Sequence, residues 1–187
     1  LERGARAIAA GLTRRGVGIG DVLALVLPPG PEYLLAYLGA AAVGAITAGV
    51  NDRLTPTERD AVLALAGPRL VIAGPRLAPE RTDAELLVTG PADHAAGVLE
   101  ELRDAGDPPT LAEDPDRPVA IVFTSGTTGL PKGALYTNRQ LAFITATDVG
   151  EGWGGGTRSF TGTSFAHLGF MTKLPGSLHR GGTSFIM

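Results

Sequence analysis

The chain has no cysteine among its 187 residues, which excludes disulfide scaffolds, thiol catalysis and thiolate metal centres. Histidine is scarce as well. His94, His167 and His179 are too scattered for a His-rich zinc centre of familiar spacing, so any metal is expected to arrive with a ligand. There is no large charge surplus either: 16 basic residues against 19 acidic ones leave a net charge of -3, and no nucleic-acid partner is expected. A leader-like apolar run is also missing, because Ala7 to Leu12 stops at Thr13-Arg14-Arg15, short of the roughly 7–15 residues a secretory signal needs. A cytoplasmic location is expected. The chain starts at Leu1 rather than Met and closes on an apolar run from Ser184 to Met187, as expected of a piece of a longer polypeptide.

What is present suffices for a core. Hydrophobic residues make up 44% of the chain, and its length suits one large domain or a pair of small ones. Gly 27 and Pro 14 stay below the roughly 25–30% at which low-complexity chains begin, so disorder is not expected. Tyr33 to Asn51 carries no charge and is long enough to be tested as a membrane span. It holds Gly39, Gly44, Gly49 and six alanines, and it divides at Gly44 into a helical half and a β-branched half. A buried helix followed by a strand is expected there, and no transmembrane segment.

Periodicity supplies the rest of the layout. Leu1, Ala5, Ile8 and Leu12 recur at helical spacing, with Gly16 as a C′ residue after a basic last turn. Val22 to Leu27 reads as a buried strand bounded by Gly20-Asp21 and Pro28-Pro29-Gly30. Pro31 suits a first helical position, and the helix from Tyr33 to Val43 is apolar on nearly every side. Ala45 to Val50 is a second strand, Thr55-Pro56-Thr57-Glu58 a capping box for a helix ending at Gly67-Pro68, and Leu70 to Ala73 a third strand. Strands alternating with helices predict the α/β class, with parallel-sheet layers and right-handed crossovers. Residues 80–117 then carry eleven acids and three arginines and are expected to form an acidic surface excursion with one helix near Ala95 to Asp104. From Pro118 onward the balance is basic.

Val119 to Phe123 reads as a strand that runs straight into Thr124-Ser125-Gly126-Thr127-Thr128-Gly129-Leu130-Pro131-Lys132-Gly133. Hydroxyls, glycines and one lysine in ten residues suit an anion cradle: glycines let backbone N–H groups approach oxygen anions, hydroxyls donate from the side, and Lys132 adds a movable positive charge. A plain turn between strands fits the same composition. In a Walker A loop glycine precedes the lysine and Ser or Thr follows it; here Pro131 precedes and Gly133 follows, so a P-loop NTPase is disfavoured. Gly150-Glu151-Gly152-Trp153-Gly154-Gly155 formally matches a dinucleotide fingerprint, but it follows a helix and has no carboxylate about 20 residues on, so a surface loop is expected. Asn138 reads as the N-cap of a helix from Arg139 to Val149.

Thr124 to Gly133 resembles the signature loop of the class I adenylate-forming superfamily, which includes acyl-CoA synthetases, firefly luciferases and nonribosomal peptide adenylation domains. Gly16-Val17 through Gly20-Asp21-Val22-Leu23-Ala24 is similar to that family's entry into its first strand, and Asn51-Asp52-Arg53-Leu54-Thr55 with Glu58 is similar to its acyl-CoA ligases rather than to peptide synthetase domains. Residues 1–187 are thereby identified as the N-terminal part of an adenylation domain, without its C-terminal domain. The resemblance implies a two-step reaction: a carboxylate and ATP give an acyl-adenylate and pyrophosphate, then the acyl group passes to a thiol. ATP, Mg2+ and coenzyme A are the implied cofactors, and a fatty or other acyl acid is the implied substrate. Thr124, Ser125, Gly126, Thr127, Thr128, Gly129 and Lys132 are the implied ATP-phosphate residues.

Ser164-Phe165-Ala166-His167-Leu168-Gly169 resembles the family segment whose histidine or aromatic borders the carboxylate and acyl pocket, with Ser164 in place of proline and Ala166 in place of the aromatic. His167 taken alone reads as a structural histidine, and only the resemblance brings the pocket role level with that reading; His94 and His179 read as structural. No catalytic residue is expected within 1–187, because the family's adenine, ribose and hinge elements and its catalytic lysine are absent, and the chain alone is not expected to turn over. Two alternatives stay open: a nucleotide- or phosphate-binding module without ligase chemistry, and an adenylation domain delivering acyl groups to a carrier protein.

Overall fold

A computed structural model describes residues 1–90, 99–124, 131–150, 152–156 and 158–186. The chain opens with α1 (Glu2–Arg14), which buries Ala5, Ile8, Ala9 and Leu12 on one side and is followed by Gly16 at φ +74°, the left-handed C′ position its glycine suits. Strand β1 (Val22–Val26), α2 (Pro31–Val43), β2 (Ile46–Gly49), α3 (Pro56–Ala66) and β3 (Leu70–Ala73) follow in the expected alternation. The charge-free stretch is thus a helix, a left-handed Gly44 and a strand; among the described residues no helix is long and apolar enough to cross a membrane. Helix α2 buries residues on most of its circumference because it lies between α1 and the sheet.

Five strands run parallel in the order β4 (Glu85–Val88), β3, β1, β2, β5 (Pro118–Thr124), and β6 (Lys132–Thr137) closes the edge antiparallel to β5. Alternation along the strands divides the core between the two faces. Leu23, Leu25, Leu27, Leu70 and Ile72 pack with α1 and α2, whereas Ala24, Val26, Val71 and Ala73 pack with Val62 and Leu63 of α3. The crossovers β1–α2–β2 and β2–α3–β3 therefore lie on opposite faces, the doubly wound arrangement. Each fully buried leucine or isoleucine contributes about 1.5–3 kcal/mol relative to exposure, which makes these runs the main stabilising element.

The acidic excursion is tied to the body more closely than its composition suggests. Its residues 85–88 form the strand β4 that extends the sheet, and of the helix expected near Ala95 to Asp104 the described part is a 3-10 turn, Glu100–Leu102. Residues 91–98, including His94, lie outside the described residues. Leu99 and Leu102 are buried in the core, and Gly11 of α1 lets this turn approach, since a Cβ there would collide with the Leu102 carbonyl. Arg15 pairs with Glu85, and Arg14 with Asp104 at 2.7 Å. The charges are solvated, but a few leucines among them are enough to anchor the segment.

After β6 come α4 (Asn138–Val149), β7 (Arg158–Thr161), the short α5 (Leu168–Met171), α6 (Leu174–Arg180) and β8 (Thr183–Ile186); β7 and β8 pair in parallel as a separate small sheet. Helix α4 is capped one residue earlier than expected. Thr137 accepts from the Gln140 N–H and receives the Gln140 side chain on its own N–H at 2.9 Å, while the Asn138 amide donates to the Asp114 carbonyl. Gly152 to Gly156 is exposed and irregular, as expected of a surface loop; Trp153 within it stacks on His179 at 4.0 Å.

Candidate functional site

Because β2 and β5 are parallel neighbours, with Thr47 opposite Ala120 and Gly49 opposite Val122, their C-terminal ends open on the same edge of the sheet. Ligands in open α/β sheets bind outside that edge. Strand β5 ends there at Thr124, and β6 returns from Lys132 directly opposite it, so the two strands are the arms of a hairpin whose described ends lie at the sheet's rim. Thr124 Oγ1 donates to the Lys132 carbonyl at 3.5 Å, and both side chains are exposed. Among the described residues Lys132 Nζ has no ion-pair partner, unlike the chain's other lysine, Lys173, which pairs with Asp148 at 2.9 Å. Ser125, Gly126, Thr127, Thr128 and Gly129 lie outside the described residues. A hairpin rim with an unpaired ammonium at its base suits an anion.

Strand β2 delivers the second part of the edge. Beyond Gly49 the chain turns through Asn51, whose Oδ1 accepts from the Arg53 N–H at 3.0 Å. This turn presents Asp52 and Arg53 to a distant segment. Ser164 Oγ donates to Asp52 Oδ1 at 2.7 Å, and Arg53 Nη2 donates to the Gly162 carbonyl at 3.0 Å. His167 sits in that segment as the N-cap of α5, with Nδ1 accepting from the Gly169 N–H at 3.2 Å. Helix α5 lies against β5, the strand that feeds the hairpin. His167 is exposed, and no hydrogen bond joins it to Thr124 or Lys132.

The floor under this segment is aromatic. Phe165 and Phe170 stack at 3.6 Å, and Tyr33 of α2 meets both edge-on at 5.7 and 6.1 Å. Gly49 is required for the fit, because a Cβ there would lie 2.5 Å from Met171 Sδ, 2.8 Å from the Tyr33 hydroxyl and 3.0 Å from Ala166 Cα. Tyr37 donates to the Met171 carbonyl at 2.9 Å. Burial holds the Tyr33 hydroxyl well above the usual phenol range, helped by Tyr37 and the negative Asp52, and burial alone raises Tyr37. Both stay protonated, and among the described residues Tyr33 has no hydrogen-bond partner. Sequence reasoning missed the two tyrosines, whose only signal was a pair of hydroxyls in an otherwise apolar helix. It had Asp52 and Arg53 inside a family-like motif without a job for either.

Among the described residues no group of three or more His, Asp or Glu side chains converges as a metal site. A cavity of about 410 Å³ lies elsewhere, between the ends of β3 and β4 and the 3-10 turn, lined by Ile72, Leu87 and Leu102 among others. It is remote in topology from the hairpin, which sits on the opposite flank of the sheet.

Comparison with known proteins bears on this edge. The chain is 36% identical over 156 residues to 4-coumarate–CoA ligase 3 of Oryza sativa subsp. japonica, covering 80% of this chain and 28% of the relative. It is 34% identical over 159 residues to 4-coumarate–CoA ligase 2 of Petroselinum crispum, covering 80% and 29%. It therefore spans less than a third of the length of these curated relatives. Among solved structures, the inhibitor-bound N-terminal domain of FACL13 from Mycobacterium tuberculosis superposes with a TM-score of 0.81 at 28% identity, over 99% of this chain and 48% of that one. The fatty acyl CoA synthetase of the same organism gives a TM-score of 0.80 at 27% identity, over 99% and 38%. A family profile described as AMP-binding enzyme matches residues 1–187, and with the parallel sheet, the rim hairpin and these relatives in agreement, the chain belongs to that adenylate-forming family.

Proposed function

We propose that this chain supplies the ATP-phosphate loop and part of the acyl pocket of an ATP-dependent acyl-CoA ligase. The observation that carries the proposal is the rim hairpin, with Thr124 opposite Lys132 at the open edge of the parallel sheet and the lysine unpaired. The reaction joins a carboxylate oxygen to the α-phosphorus of ATP and breaks its bond to pyrophosphate; the acyl group then passes to the thiol of coenzyme A with loss of AMP. Charge grows on the departing pyrophosphate in the first step, so donors clustered at a rim stabilise the transition state more than the bound nucleotide. At about 4 Å and an effective dielectric near 20, the attraction of Lys132 to a phosphate oxygen is of order 4 kcal/mol before desolvation. Thr124, Ser125, Thr127 and Thr128 supply hydroxyls to the same anion, and Gly126 and Gly129 let the backbone approach it. Magnesium would travel on the nucleotide phosphates. His167 at the adjoining end of β2 borders the carboxylate.

Two relatives bearing the name 4-coumarate–CoA ligase favour coenzyme A over a carrier protein as acceptor. Neighbours named for fatty acyl substrates leave the acid to be chosen by experiment. Carboxylate-dependent exchange of labelled pyrophosphate into ATP, run on the complete protein with 4-coumarate and a series of fatty acids, tests the reading. Exchange with one class of acid is expected; nucleotide binding without exchange for any acid would leave only a phosphate-binding module. Residues 1–187 alone are expected to give no exchange.

A further inference from the structure

We infer that Asp52 and Ser164 form a positioning pair that sets the imidazole of His167 at the rim of the sheet. The inference rests on the proposed ligase for what the imidazole meets, and only on the geometry for how the ring is held. Ser164 is 5% exposed, and its hydroxyl donates at 2.7 Å to a carboxylate 112 residues away in sequence. A hydroxyl bonded to an ionised acceptor makes roughly twice as strong a bond as a neutral pair. Among the described residues Asp52 has no cationic partner, and the neighbouring Arg53 donates instead to the Gly162 carbonyl at 3.0 Å. Two consecutive residues of the β2 turn thus grip two positions of the distant segment, and among the described residues the serine is the only side chain bonded to the Asp52 carboxylate.

The grip reaches the imidazole through the backbone. The Ser164 carbonyl accepts from the His167 N–H at 3.1 Å, and the His167 carbonyl in turn accepts from the Phe170 and Met171 N–H groups. With Nδ1 engaged by the Gly169 N–H at 3.2 Å, the proton of the neutral ring belongs on Nε2, and Nε2–H is the donor offered at the rim. The stacked Phe165 and Phe170 prevent the turn from sinking, and the Asp52–Ser164 bond prevents it from sliding along β2.

Nitrogen NMR of the histidine side chains in the 187-residue chain tests the pair directly, with His167→Gln assigning the signal and circular dichroism confirming that each variant is folded. The native chain should show the Nε2–H tautomer at His167. Ser164→Ala and Asp52→Ala should each convert it to a mixture of tautomers, whereas Asp52→Asn, which keeps an acceptor oxygen, should restore it. In the complete protein Ser164→Ala should raise KM for the carboxylate about tenfold with KM for ATP unchanged, and the double Ala variant should be no worse than either single one, as expected of one shared bond. An unchanged His167 signal in both folded Ala variants overturns the positioning role even if the ligase is active. A shifted signal in a protein that adenylates no acid sustains the positioning role and removes the ligase reading instead.

Discussion

The two flanks of the molecule are built to different standards. Strands β1 and β3 are runs of apolar residues, almost all fully buried and covered on both faces by helices. From β6 onward the chain keeps large side chains at the surface: Phe143 is 72% exposed, Phe160 74% and Trp153 80%, and β7 and β8 form a two-stranded sheet. The first flank holds the fold and the second presents groups to solvent. Their seam, at the ends of β2 and β5, is where the candidate site lies: Phe165, Ala166, Met171 and Leu174 join the main core there, and a few specific bonds fix the segment on that apolar floor. Rigid support under exposed donors is what a binding rim requires.

Truncating each flank should break or confirm this contrast most sharply. Leu25→Ala, in a fully buried position of β1, is expected to lose about 2–5 kcal/mol in denaturant unfolding, whereas Phe160→Ala on β7 should change stability by less than about 1 kcal/mol. Equal losses would mean that the small sheet is part of the main cooperative unit. Lys132→Ala should leave unfolding unchanged and, in the complete protein, slow adenylation about 10- to 100-fold, the scale of a lost hydrogen bond to a charged group. Thioester formation from supplied acyl-adenylate should suffer less; equal losses in both half-reactions would assign the lysine a structural role.

A smaller effect distinguishes the helix caps. Thr55→Ala at α3 and Thr137→Ala at α4 should each cost about 1 kcal/mol in thermal or denaturant unfolding, because both threonines close capping boxes. Only the first flank's box is ionisable. The Thr55 N–H and hydroxyl hold the Glu58 carboxyl below its usual range, so its contribution is present above the ordinary glutamate pKa and is lost as pH falls through the lowered folded value. Glu58→Gln should therefore flatten the acid limb of the stability profile, and Gln140→Glu should steepen it. The two hydrogen bonds from Arg139 lower Asp116 in the same sense, so Asp116→Asn should also flatten that limb. Tyr33→Phe, which removes a buried hydroxyl without a partner, is expected to be neutral or slightly stabilising.

Much of this was legible along the chain. Continuous apolar runs such as Val22–Val26 and Leu70–Ala73 mark buried parallel strands, Thr55 with Glu58 marks a helix start, and the ten residues from Thr124 mark the family. The edge strands were not legible: at least half of the residues of Glu85–Val88 and of Lys132–Thr137 are exposed, so selection for apolar residues leaves only a faint alternation. The cap at Thr137 was displaced by one residue because Asn138 is an equally good capping type in isolation.

Composition and local spacing determined the α/β class and the order of the buried elements, and the loop from Thr124 carried the resemblance to the family, because each depends on residues a few positions apart. Only the tertiary structure decided that Asp52 meets Ser164, that Gly49 makes room for Tyr33 and Met171, and that the His167 turn rests beside the hairpin. Those contacts join residues far apart in the sequence, and no period or motif records which distant side chain a fold will bring within reach.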